Sequence, residues 1–64
     1  MRVLLEVTAD RYEFPLIIAD DVKHLAALRG ISAVGIHKAL RENSVTRRRT
    51  RYVWCEIEDE VEEN

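Results

Sequence analysis

The 64 residues carry ten lysines and arginines against twelve acids, a formal net charge of −2, with 47% hydrophobic residues and one cysteine. A chain of this length makes one domain near the lower limit for folding without staples, burying only about 60% of its unfolded surface. Cys55 alone forms no internal disulfide, no apolar run exceeds four residues, and no leader pattern is present; a soluble cytoplasmic protein without a membrane partner is expected.

The small net charge hides an uneven distribution. Residues 1–51 hold all ten bases against six acids, whereas residues 52–64 hold six acids and no base. Within the first part, residues 29–51 carry seven bases against Glu42 alone. A basic segment followed by an acidic one is an electrostatic feature that calls for an explanation.

"RVLLEVT" alternates Val3, Leu5 and Val7 with Arg2, Leu4, Glu6 and Thr8, the period of two of a β-strand. The first set is expected to face the core. "ADR" is a turn in which Asp10 bonds nearby backbone. "YEFPLIIA" reads as a second strand with Tyr12, Phe14, Leu16 and Ile18 on one face. Pro15 cannot donate to a ladder, so this strand belongs at an edge or carries a bulge.

Asp20 or Asp21 caps a helix whose apolar positions are Val22, Leu25, Ala26 and Leu28. Gly30 ends it in the left-handed conformation that only glycine adopts cheaply. Ser32 caps a second helix with Ile36, Ala39 and Leu40 inward and Asn43 as its stop. "SVTRRRTR" is a basic loop or the tip of a wing. "YVWCEIE" is a third strand, with Val53, Cys55 and Ile57 expected inward and Tyr52, Trp54 and Glu56 outward. The expected architecture is α+β in the order ββααβ, a three-stranded antiparallel sheet with a helix pair on one face. Residues 1–58 make the domain, and residues 59–64 are an acidic, frayed tail.

Ala26, Gly30, Ile31, Ser32 and Ile36 meet the demands of a DNA-reading helix-turn-helix: a small residue for close approach, a sharp turn, a cap and an apolar inner side. The same pattern also arises in plain helical packing units. Arg29 occupies the position where a core leucine often precedes the glycine, and Leu28 is expected to serve instead. On the DNA reading, Ser32, Ala33, Val34, His37, Lys38 and Arg41 face the groove, with Ala33 and Val34 limited to apolar contact. Arg47, Arg48, Arg49 and Arg51 would grip phosphates or enter a minor groove, or else form a solvated loop. The acidic tail maintains solubility or folds over those arginines. Tyr52 and Trp54 share a face with Leu4 and Ile17, a patch expected to bind a second copy unless the tail or loop covers it.

No catalytic, cofactor-binding or metal-binding pattern is present: His24 and His37 are thirteen residues apart, and Cys55 is expected to face the core. A non-enzymatic role is expected.

The stretch "YEFPLIIADDVKHLAALRGISAVGIHKALREN", with the basic loop and "RYVWCEIED" after it, resembles small helix-turn-helix proteins of Gram-positive bacteria and their phages. The matching residues are Val7, Thr8, Asp10, Tyr12, Glu13 and Pro15, then Tyr52, Val53, Glu56 and Ile57. Gly30-Ile31-Ser32, Ile36, Tyr52 and Trp54 are also similar to the modular DNA-binding repeats of intron-encoded nucleases. That second resemblance implies contact with double-stranded DNA by the second helix and the loop. Gly35 and Arg51 depart from the repeat pattern. Two functions follow as expectations: a dimeric DNA-binding regulator of a phage or mobile element, or a protein-interaction module such as a phage-encoded inhibitor of a host nucleic-acid enzyme.

Overall fold

The computed structural model describes residues 1–58; the tail expected at 59–64 lies outside the described residues. The order is β1 (Arg2–Thr8), β2 (Pro15–Ala19), α1 (Val22–Arg29), α2 (Ala33–Glu42) and β3 (Thr50–Glu56). The strands form one antiparallel sheet in the order β2-β1-β3. This is the expected α+β, ββααβ architecture. Pro15 opens an edge strand, and the β1–β2 register shifts opposite it, between Glu6 and Val7. Both follow from a residue with no N–H to offer.

β2 begins at Pro15 and not at Tyr12, because side chains at the end of β1 capture the backbone before it. Asp10 Oδ1 accepts from Tyr12 N at 3.0 Å and Glu13 N at 3.1 Å, while Phe14 N donates to Thr8 Oγ1 at 2.9 Å. Glu13 takes a left-handed φ of 46° in this turn. The Thr8 hydroxyl and those amides hold the Asp10 carboxyl below its ordinary range. The capture leaves Tyr12 and Phe14 exposed and stacked on each other, with ring centroids 5.8 Å apart.

The helix ends match their chemistry. Asp21, rather than Asp20, caps α1 and accepts from His24 N at 2.8 Å. Gly30 closes it at φ 76°, with its own N–H and that of Ile31 bonded to the Ala26 carbonyl. Ser32 caps α2 and Asn43 ends it at φ 52°. Each N-cap contributes about 1 kcal/mol relative to alanine.

The core corrects the expected facing of the sheet. Leu4, Ala19, Val22, Leu25, Ala26, Ile36 and Tyr52 form one buried cluster, with Ile17, Ala33, Ala39 and Leu40 packed against it. α1 lies against β2 and α2 against β3. The helices therefore cover the face of Leu4, Glu6, Ile17 and Tyr52; on the opposite face Val3 and Val7, expected inward, are buried all the same at 5% and 2% exposure, and Leu5 is half-buried. Leu4, Ile17 and Tyr52 cannot form the expected partner surface; only Trp54 of that patch is open to solvent, and the Arg2 guanidinium stacks 4.1 Å from its ring centroid. Cys55 and Val53 belong to the uncovered face and are half-buried, and Ile57 is exposed. Leu28 is exposed as well, so it does not replace the core leucine.

Candidate functional site

The covered face holds a fully buried carboxylate. Glu6 is 0% exposed on the central strand, among aliphatic residues. Its Oε1 accepts from Arg29 Nε at 3.1 Å and pairs with Arg29 Nη2 at 3.0 Å. Its Oε2 accepts from Thr50 Oγ1 at 2.7 Å and Arg48 Nε at 3.2 Å. Burial alone would push this carboxyl up; the bonds from Thr50, Arg29 and Arg48 outweigh it and hold Glu6 below the usual carboxylate range. Arg48 Nη2 also donates to the Tyr52 hydroxyl at 3.2 Å. Burial, and then the Glu6 charge, raise the Tyr52 phenol above its ordinary value.

This cluster ties the end of α1 and the basic loop to one carboxylate. In the loop, Thr46 Oγ1 accepts from Arg48 N and Thr50 N, each at 3.2 Å, and contacts Thr50 Oγ1 at 2.7 Å. Because Thr50 donates its hydroxyl proton to Glu6, Thr46 donates to Thr50. Arg49 closes the turn at φ 62°, and its carbonyl accepts from Ala9 N at 2.9 Å. The loop is thus a built turn with Arg48 directed inward.

The expected base- and phosphate-contacting residues separate accordingly. Arg48 is an anchor for Glu6, and Arg51 Nη2 pairs with Glu13 at 2.9 Å. Ala33 packs against the core instead of facing outward. Ser32 is exposed, with its Oγ accepting from Val34 N at 3.1 Å as the helix cap. Val34, His37, Lys38 and Arg41 are exposed. With Ile36, Ala39 and Leu40 turned to the core, 100° per residue places Val34, Lys38 and Arg41 on the opposite side of α2, with His37 on its flank. Among the described residues, Lys38, Arg41, Arg47 and Arg49 form no ion pair.

The sequence reading missed Glu6, Thr50 and Arg29 as a unit. The signal that could have found it is a single carboxylate inside an otherwise apolar strand, since a buried acid requires partners.

Among the described residues there is no cavity, no group of three or more potential metal ligands, and no helix long and apolar enough to cross a membrane. The candidate site is therefore an outer surface, made by one side of α2 and the tip of the basic turn. It belongs to a small α+β domain with a helix pair on a three-stranded antiparallel sheet. No protein-family model, curated protein or solved structure matches this chain.

Proposed function

We propose that this chain is a small, non-enzymatic DNA-binding protein that lays α2 along the major groove of a duplex. The observation that carries the reading is the outer side of α2: Lys38 and Arg41, flanked by His37, face solvent with no acidic partner among the described residues. The buried Glu6 carboxylate is taken up by Arg29, Arg48 and Thr50, and Glu42 at the end of α2 forms no ion pair with Lys38 or Arg41 among the described residues. Lys38 and Arg41 would contact phosphates or a guanine edge, His37 a base edge, and Val34 a thymine methyl. Ser32 at the α2 N-terminus and the outward arginines Arg47 and Arg49 would contact the backbone. With so few polar groups aimed at bases, binding would be weakly sequence-selective. A regulatory role in a phage or mobile element is what the family resemblance adds.

Four phosphate-neutralising groups give a slope of log affinity against log salt of about −3.6. Fluorescence anisotropy on a mixed-sequence duplex across a salt series measures it. Absence of binding at low salt would remove this function. The protein-interaction reading would then lead, because Val34 is 74% exposed on the same side of α2 and one whole sheet face is uncovered by helices.

A further inference from the structure

Two turns meet at one end of the sheet, the β1–β2 turn at 10–14 and the basic turn at 46–49. Ala9 N donates to the Arg49 carbonyl at 2.9 Å, Thr8 stands opposite Thr50, and Arg51 Nη2 binds Glu13 at 2.9 Å. The first turn carries Tyr12 and Phe14, 61% and 60% exposed, with ring centroids 5.8 Å apart and planes inclined by 21°. A domain this small forgoes much apolar burial by turning two aromatic rings to water. Their exposure is built into the turn. Thr8 Oγ1 donates to Asp10 Oδ1 at 2.8 Å and accepts from Phe14 N, while the same Asp10 oxygen accepts from Tyr12 N and Glu13 N. We propose that this end of the sheet is a second binding site, on which unpaired bases of a nucleic-acid strand stack on Tyr12 and Phe14 while Arg11, Arg47 and Arg49 neutralise the flanking phosphates.

The charges select that ligand. Both acids of the turn are engaged, Asp10 by Thr8 and two amides and Glu13 by Arg51. The Arg11 guanidinium lies 5.1 Å from the Tyr12 centroid and donates to its hydroxyl at 3.1 Å. Among the described residues, Arg11, Arg47 and Arg49 form no ion pair. Aromatic faces beside unanswered cations suit a ligand that alternates flat rings with negative charge, which a single nucleic-acid strand does. A duplex offers the arginines its phosphates but keeps its base faces stacked inside, out of reach of the rings. An apolar peptide covers the rings and leaves the cations unanswered.

This site goes beyond the duplex reading and does not rest on it. Arg47 and Arg49 are common to the two; Tyr12 and Phe14 belong to this one, and Lys38 and Arg41 to the outer side of α2.

Fluorescence anisotropy at low salt, with a labelled oligothymidine of about twelve nucleotides, tests the proposal. Tyr12→Ala and Phe14→Ala should each weaken binding about tenfold, the scale of one base–aromatic stack. Far-UV circular dichroism should stay unchanged, since both rings are more than half exposed. Phe14→Trp should bind at least as well as the parent, and Phe14→Leu, apolar but not aromatic, should bind like Phe14→Ala. An abasic oligomer of the same length, with phosphates and no bases, should bind about a hundredfold more weakly than oligothymidine. An abasic strand that binds equally well, alanine variants that bind like the parent, or a Phe14→Leu variant that keeps full affinity each overturn the proposal. So does a failure of both oligothymidine and oligouridine to bind, which would leave the rings as a contact for a protein. Binding of either strand with this dependence on the rings supports the site, and the tighter of the two names its source. Duplex affinity should be unchanged by Tyr12→Ala and Phe14→Ala, so loss of duplex binding alone removes the α2 reading and leaves this site standing.

Discussion

Arg48 and its neighbours Arg47 and Arg49 belong to two different regions of this molecule, although nothing in the run of three distinguishes them. Arg48 belongs to the inner cluster built on Glu6, where two arginines, two threonines and a tyrosine surround one buried carboxylate. Arg47 and Arg49 belong to the outer surface with Lys38 and Arg41, where no acid answers them among the described residues. A cation's availability is set by whether a desolvated acid lies within its reach. An acid on a central strand cannot be left unpaired, so it recruits guanidinium groups from the elements packed above it. The inner region therefore serves stability and the outer one is free to bind.

The largest expected effect is on the inner region. Glu6→Gln should lower unfolding stability by about 2–3 kcal/mol in urea titrations, because a neutral amide leaves two partly buried guanidinium groups uncompensated. For a domain this small that is much of its stability. The same carboxylate sets a pH dependence. Its folded-state pKa lies below the unfolded one, so its contribution is complete above the ordinary glutamate range and is lost as pH falls through the depressed value. Thermal midpoints should drop on acidification below about pH 4, and the drop should be shallower in Glu6→Gln. An unchanged pH profile would break the comparison.

Next comes the outer region. Replacing Lys38 and Arg41 together by alanine should cost at least about tenfold in duplex affinity and reduce the salt slope by about two. Melting curves should stay within about 0.5 kcal/mol of the parent, since both side chains are exposed.

The sharpest contrast pairs adjacent arginines. Arg48→Ala should destabilise by about 1–2 kcal/mol and leave the salt slope unchanged. Arg47→Ala should do the reverse, with native stability and a slope reduced by about one. If the two variants behave alike, the division between the regions is wrong.

The smallest effect separates backbone from charge at one position. Arg49 has a φ of 62°, where a Cβ is strained. Arg49→Gly should stabilise by about 0.5 kcal/mol and still lower the salt slope by about one.

Much of the fold was legible locally. β1 runs over "RVLLEVT" as its alternation indicates, and Gly30, Ser32 and Asn43 end or begin helices for reasons contained in their own side chains. Pro15 placed its strand at an edge by lacking a donor. The second strand was read too long because Thr8 and Asp10 bind the amides of Tyr12, Glu13 and Phe14, which alternation alone does not reveal. β3 begins at Thr50, two residues before the expected start, since Thr8 pairs with Thr50 across the sheet.

The candidate site was legible only in part. Helical periodicity identified the outward Val34, Lys38 and Arg41. It misplaced Ala33, which the core claims, and assigned to the outside four arginines of which two are held by Glu6 and Glu13. The partner patch of Leu4, Ile17 and Tyr52 was assigned to the wrong side because Glu6, as a charge, marked its face as the wet one.

By itself, the sequence determined the elements, their order and their caps, because strand alternation, helical spacing and capping act between residues a few positions apart. The tertiary structure alone decided which parity of the sheet meets the helices and which cations remain free. Both faces of β1 are apolar enough to be covered, so alternation gives two faces without ranking them. The choice depends on Glu6 finding Arg29, Arg48 and Thr50, which lie 23, 42 and 44 residues along the chain. A buried charge with distant partners is stable only when the whole domain closes around it, and no local pattern encodes that closure.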